Sequence, residues 1–165
     1  EHVMHREFFS VTRDFLMSLM AHKGKVTAVG TTTVRTLESL FWMGVNMIEV
    51  RASDHLTQWE CYDMEDTQIT MEESVSAIIK HLDDNHLDTF KASTGIMICP
   101  GYKYRMVNNI ITNFHQPEST LLLLVCAAIG QEWKTLYNYA LSHDFRFLSY
   151  GDSCFLGIES VKCKD

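Results

Sequence analysis

The segment "LLLLVCAAIG", Leu121 to Gly130, constrains the fold of this chain more than any other stretch. Leu121 to Ile129 is the longest apolar run of the sequence. It is too short to cross a bilayer and too apolar to lie in water, so it must be a buried helix of a globular domain. The residues before it, "TNFHQPEST", crowd Asn113, His115, Ser119 and Thr120 around Pro117. Pro117 is expected at the first turn of that helix, where its missing N–H costs nothing. Hydrogen-bonding side chains at the mouth of a buried helix suggest one wall of a pocket.

The other segments alternate between the two hydrophobic periods. In "EHVMHREFFSV", period 2 places His5, Glu7, Phe9 and Val11 on one face of a strand and His2, Met4, Arg6 and Phe8 on the other. Thr12 opens an expected helix over "RDFLMSLMAHK", with Phe15, Leu16, Leu19 and Met20 as its apolar stripe and Gly24 as its cap. "KVTAVG" reads as a short buried strand that runs into "TTTVRTLESLFWMG", a threonine-capped helix ending at Gly44. In residues 45–68, "NMIEV" and "LTQWECY" are candidates for short strands or a helix extension. Thr70 and Glu73 make a capping box ahead of a helix to about Asp84, whose core stripe is Val75, Ile78, Ile79 and Leu82.

"GIMICPGYKYRMVNNIITNF" reads as a strand, a Pro-Gly turn and a hairpin through Asn108-Asn109. Gly130 separates the apolar helix from one over "EWKTLYNYALSHD", and "FRFLSYGDSCFLG" is expected to close as strand, turn and strand. Alternation without internal repeats predicts the α/β class, a sheet with helices on both faces. Ligands then sit beyond the carboxyl ends of the strands, at Gly30–Thr33 and His115–Thr120.

Composition narrows the function. With 46% hydrophobic residues, 21% charged residues and two prolines in 165 residues, the chain is an ordinary globular domain rather than a disordered segment. "EHVMHREFFSV" reads as the middle of an ordered segment, so a fragment of a longer protein is expected; nothing there resembles a signal peptide, and a cytoplasmic protein free of membranes is expected. Cys61, Cys99, Cys126, Cys154 and Cys163 are scattered without a C-x-x-C pair, which speaks against a disulfide framework and a thiolate zinc site. The formal charge of −7 argues against broad nucleic-acid binding, so such a partner would need a local basic patch.

Several side chains have both a structural and a functional reading. Thr31, Thr32 and Thr33 after Gly30 either cap a helix or offer hydroxyls and backbone N–H groups to a ribose or carboxylate. The stretch is neither a Walker loop nor a dinucleotide fingerprint. Arg35 and Glu38, three apart, can pair on a helix surface. His115 is either a structural hydrogen-bonder or a group that titrates near neutrality at a strand end. His5 and Glu7 share a strand face, as a solvated edge or as an acid and base. Zinc on His2, His5 and a distant histidine has no ligand spacing in its favour. Tyr150 and Asp152 flank a glycine turn. Phe41, Trp42 and Met43 read as core.

Taken together, "EHVMHRE", "AVGTTTVRTLES", "PGYKYRMV", "ITNFHQPESTLLLLV" and "FRFLSYGD" resemble, in order, the C-terminal half of the S-adenosylmethionine:tRNA ribosyltransferase-isomerase family of queuosine biosynthesis. The resemblance covers about residues 1–40 and 95–157. It implies that the chain, residues 1–165, is the C-terminal portion of an α/β catalytic domain, with a divergent helical insertion at about 41–94. The N-terminal half of that domain and its inserted β-barrel would lie outside the chain. The implied reaction moves and isomerises the ribosyl part of S-adenosylmethionine onto 7-aminomethyl-7-deazaguanine in tRNA, releasing adenine and methionine. S-adenosylmethionine is then a substrate, no prosthetic group or metal is implied, tRNA is the partner, and a monomer is expected.

By the same resemblance, His5, Glu7, His115 and Asp152 are the candidate catalytic residues. Thr31, Thr32, Thr33, Arg35, Asn113, Ser119, Thr120 and Tyr150 are the candidate substrate-binding residues. Thr33 stands where serine is usual, Gln116 where leucine is usual, and Glu118 where a basic residue is common. Two rival readings are a relative with another acceptor and a non-catalytic α/β module that recruits a protein partner.

Overall fold

The computed structural model describes residues 4–22, 25–51 and 53–158, and the chain divides into two compact units. The first comprises Glu1–Gly24 and Arg35–Ile96; the second comprises Lys25–Val34 and Met97–Asp165.

In the first unit, β1 (Glu7–Thr12) pairs antiparallel with β4 (Thr89–Thr94), and β4 pairs parallel with the short β3 (His55–Leu56). The sheet order is β1-β4-β3. Burial alternates along β1 as period 2 requires, with Glu7, Phe9 and Val11 turned inward and Phe8 and Ser10 outward. Helix α1 (Arg13–Ala21) starts where the Thr12 hydroxyl accepts the Phe15 N–H, and it packs on α4 (Met71–Asp84). Of its expected stripe only Leu16 and Leu19 are buried, while Phe15 is exposed. Its cap is His22; the expected cap, Gly24, lies outside the described residues. The Thr70–Glu73 capping box is present, with both reciprocal bonds made. Val75, Ile78 and Leu82 of α4 are fully buried.

Helix α2 (Thr31–Ile48) does not end at Gly44 but runs through it, so "NMI" extends the helix. A Cβ at Gly44 would lie 2.1 Å from Ser74 Oγ and 2.2 Å from the Ser74 carbonyl oxygen, so this glycine is a packing requirement rather than a stop signal. Ser74 Oγ donates to the Phe41 carbonyl at 2.6 Å, which ties α4 to α2 at the same place. Phe41, Trp42 and Met43 are core, as expected. "LTQWECY" forms β3 and one short turn, α3 (Glu60–Asp63), instead of a full strand. Residues 41–94 thus include β4, the middle strand of this sheet.

In the second unit, β2 (Thr27–Val29) pairs parallel with β5 (Asn109–Asn113), which pairs antiparallel with β6 (Ser153–Gly157). Strand β2 lies at the edge, so Ala28 alone of its residues is buried; the expectation of a buried strand does not hold. Asn108-Asn109 makes no hairpin. Both backbone N–H groups donate to the Val26 carbonyl, at 2.9 and 3.0 Å, and Asn108 Oδ1 accepts from Val26 N, which fixes the parallel register of β2 on β5. Helix α5 (Thr120–Ile129) begins at a Ser119 cap, with Pro117 in the preceding turn rather than in the first helical turn. Ser119 accepts from Leu122 N at 3.2 Å and donates to the Gln116 carbonyl at 2.8 Å, and that local capping sets the start of the helix. Gly130, at φ +55°, ends α5, and α6 (Glu132–Ser142) follows. "FRFLS" forms no strand, because residues 145–152 turn back before β6.

The α/β class is therefore borne out, with mixed three-stranded sheets and helices in place of a single run of alternating units. No helix among the described residues is long and apolar enough to cross a membrane. Among those residues Cys61, Cys99, Cys126 and Cys154 form no disulfide; Cys163 lies outside them.

Gly44→Ala is expected to lower unfolding stability by about 1–3 kcal/mol, because the backbone of α4 must move to admit one methyl group. Chemical denaturation with an unchanged slope would report that loss.

Candidate functional site

In the first unit, the feature that stands out is a buried guanidinium. Positions 34, 35, 37 and 38 of α2 all face inward, so Arg35, only 3% exposed, is carried into the core together with Glu38. The surface pair Arg35–Glu38 is therefore not formed. Arg35 Nη1 donates instead to Glu7 Oε1 on β1, and Nε donates to the Ile96 carbonyl at 3.1 Å. Ser39 Oγ donates to Thr94 Oγ1 at 2.7 Å, and Thr94 Oγ1 accepts from Ile96 N at 2.9 Å, so the carbonyl-bearing residue is itself held. Arg35 Nη2 and Glu7 Oε2 are buried without a hydrogen-bond partner. Burial pulls the Arg35 guanidinium below its ordinary value and Glu7 opposes that shift. The pair is one donor and one acceptor short of complete, a condition a polar ligand or water can meet. His5 is exposed ahead of β1 and makes no hydrogen bond to Glu7.

The second unit holds most of the other candidates. Gly30, at φ +85°, turns the chain from β2 into α2; its N–H reaches the Ile111 carbonyl at 2.8 Å and its carbonyl accepts from Val34 N at 3.2 Å. Thr31, Thr32 and Thr33 are the first helical residues rather than caps outside the helix. Thr33 donates back to the Val29 carbonyl at 2.7 Å, while Thr32 is exposed.

His115, half-buried just past β5, has Nε2 2.9 Å from Thr112 Oγ1, and its backbone N–H donates to the Tyr137 hydroxyl at 3.0 Å. Burial lowers the His115 pKa and raises that of Tyr137, so the imidazole is neutral at neutral pH. When Nε2–H donates to Thr112, Nδ1 carries a lone pair that can accept a proton. Phe114, buried between them, meets Tyr137, Phe145 and Phe147 at ring-centroid distances of 5.4, 5.6 and 5.3 Å. Tyr137 and Thr112 were not singled out in the sequence: Tyr137 stands in no motif and its partner lies 22 residues away, and Thr112, although it opens "TNFHQPEST", reads there as an ordinary strand residue.

Asn113 Nδ2 lies 3.3 Å from the Gly151 and Asp152 carbonyls and from Ser153 Oγ, clasping β5 to the start of β6. Asp152 accepts from Arg146 N at 2.8 Å and returns its own N–H to the Arg146 carbonyl at 2.8 Å. The Arg146 backbone N–H, ahead of its side chain, holds the Asp152 carboxyl below the usual range. Ser119 caps α5, Thr120 is its first residue and half-buried, and Tyr150 is 97% exposed. In the first unit, two cavities of about 420 and 580 Å³ are lined by none of the candidate catalytic or substrate-binding residues. Among the described residues no cluster of histidine, cysteine, aspartate and glutamate could hold a metal; His2 lies outside them.

A family model described as "Queuosine biosynthesis protein" matches residues 1–156. The chain belongs to the queuosine biosynthesis protein family. Within that family, the S-adenosylmethionine:tRNA ribosyltransferase-isomerases of Dichelobacter nodosus and Chlorobaculum parvum are 32% and 33% identical to it over 160 residues. Each alignment covers 94% of this chain but only 34% and 36% of those relatives. The chain thus spans about a third of the length of the curated relatives it matches. A crystal structure of the S-adenosylmethionine tRNA ribosyltransferase of Thermotoga maritima is similar over 90% of this chain and 39% of its own, with a TM-score of 0.58 and 25% identity.

Because the folded state resists protonation of His115, its contribution to stability is present above the ordinary imidazole pKa of about 6.5 and is lost as pH falls below it. The unfolding temperature is therefore expected to fall more between pH 7 and pH 5 in wild type than in His115→Gln, as thermal scans across that range would show.

Proposed function

We propose that the chain is part of an enzyme that transfers and isomerises the ribosyl moiety of S-adenosylmethionine onto 7-aminomethyl-7-deazaguanine in tRNA, with release of adenine and methionine. The observation that carries this reading is the family match across residues 1–156, together with relatives named for that activity. The enzyme's substrates are then S-adenosylmethionine and tRNA, it needs no prosthetic group, and it works as a cytoplasmic monomer.

The residues supply chemistry that suits the reaction. The attacking amine must give up a proton, and His115, neutral and oriented by Thr112, is a base of the right kind. Glu7, anchored by Arg35 through one oxygen, has a second carboxylate oxygen unpaired and can face a sulfonium or accept from a hydroxyl. Arg35 Nη2 is the matching donor for a ribose oxygen or a carboxylate. His5 and Asp152 are the remaining candidate catalytic residues. Thr31, Thr32, Thr33, Asn113, Ser119, Thr120 and Tyr150 bind substrate. The helices within 41–94 are a divergent insertion carried around β4 of the domain's own sheet.

The complete protein is expected to release adenine from S-adenosylmethionine only when tRNA carrying 7-aminomethyl-7-deazaguanine is present, as measured by chromatography of the products. Release without that tRNA would point to another acceptor, and its absence in a folded protein that binds S-adenosylmethionine would remove the transferase reading. In the same assay His115→Ala should cut turnover by roughly 100-fold or more, the usual scale of a general base, with a much smaller change in thermal stability. Equal loss of both would make His115 structural.

A further inference from the structure

The reading above needs a local surface for RNA on an acidic chain, and the outward face of the first sheet has that character. Antiparallel register sets Phe8 opposite Ser93 and Ser10 opposite Lys91, and parallel register sets His55 beside Ser93. Phe8 is 78% exposed although it lies within a strand whose alternate residues turn inward. A phenylalanine left in water at that position buries little apolar surface within the unit itself. The Arg6 guanidinium lies over its ring, 4.9 Å from the centroid.

Arg6 is also fixed from below. Its Nε donates to Ser93 Oγ at 2.7 Å, and Ser93, 1% exposed, is held in turn by His55 Nδ1 at 3.0 Å. Cation and ring are thus set before any ligand arrives. They line a cavity of about 420 Å³ with Ser10, Lys91, Ser93 and Asp54, floored by Phe9 and Ala92, and this volume is on the scale of small-ligand sites.

We propose that this face of β1 and β4 holds an unpaired nucleotide of the tRNA, its base stacked on Phe8 and its phosphates met by Arg6 and Lys91. An exposed ring on a sheet face, with one cation over it and a second lining the same cavity, suits single-stranded RNA, because every base has a face to stack and every linkage a charge to neutralise. Asp54 and Ser10 at the rim can accept from base amino groups or the 2′-hydroxyl. On a chain of formal charge −7, the two cations here place the attraction locally. The inference rests on tRNA being the acceptor.

The test uses the complete protein and the acceptor tRNA, with Phe8→Ala, Phe8→Trp and Lys91→Ala. Phe8→Ala should weaken tRNA binding by roughly tenfold, the scale of one lost base stack, while Phe8→Trp keeps it. Lys91→Ala should reduce the slope of log affinity against log salt by about one. Affinity for S-adenosylmethionine and thermal stability should be unchanged in all three. Unaltered tRNA affinity in Phe8→Ala overturns the inference. So does a fall in thermal stability without loss of tRNA affinity, which would mean that another part of the same protein covers this face. A wild-type protein that binds S-adenosylmethionine but no tRNA overturns the acceptor reading and this inference with it.

Discussion

A guanidinium buried on α2 sets the conditions that the rest of the first unit has to meet. Left alone in the interior, Arg35 would cost several kcal/mol, so its neighbours must arrive with acceptors in place. Glu7 meets it from β1 and the Ile96 carbonyl meets it from the segment after β4. For both to do so, β1 must hold its register on β4 and the chain must leave β4 at one angle, which the Ser39–Thr94–Ile96 relay maintains. Such a pair is weak evidence for stability but a strong constraint on arrangement. It leaves Arg35 Nη2 and Glu7 Oε2 unpaired, one donor and one acceptor that water or a polar ligand can meet.

The second unit solves a different problem, holding an imidazole neutral at a strand end. Thr112, the last inward residue of β5, reaches forward to the ring, and Tyr137 on α6 takes the backbone N–H. The rings around Phe114 fill the space behind. Asn113 and Asp152 serve the same end by closing the turn between residues 146 and 152 onto β5. Residues that read as ligand contacts in the sequence thus also hold the loop together, and a chain can use one side chain for both purposes when backbone groups are the partners.

Local signals were legible in the sequence wherever a short segment decides its own structure. The alternation of β1, the Thr70–Glu73 box and the break at Gly130 all follow from contacts within a few residues. The start of α5 was misplaced for a local reason, the Ser119 cap, but the failures at Gly44, Asn108-Asn109 and Arg35 share another cause, partners remote in sequence. Gly44 looked like a stop because the reason for it, Ser74, lies 30 positions further on. Asn108-Asn109 looked like a hairpin because its partner Val26 precedes it by some 80 residues. Arg35 looked like a surface cation because nothing nearby announces Glu7. The candidate site residues were named through the family resemblance, whereas the contacts of Thr112 and Tyr137 and the Phe8–Arg6–Ser93 cluster were visible only once the strands were paired.

The contact at Gly44 bears on how this chain can vary. The obstacle to a side chain there is the backbone carbonyl of Ser74 as well as its hydroxyl, so no exchange of one α4 side chain for another makes room. Compensating change by a neighbour, the usual way in which core positions drift over generations, is closed at this position. A chain that keeps these two helices at this distance is therefore held to glycine at position 44. Position 44 is thus set by the separation of two helices rather than by any single side chain.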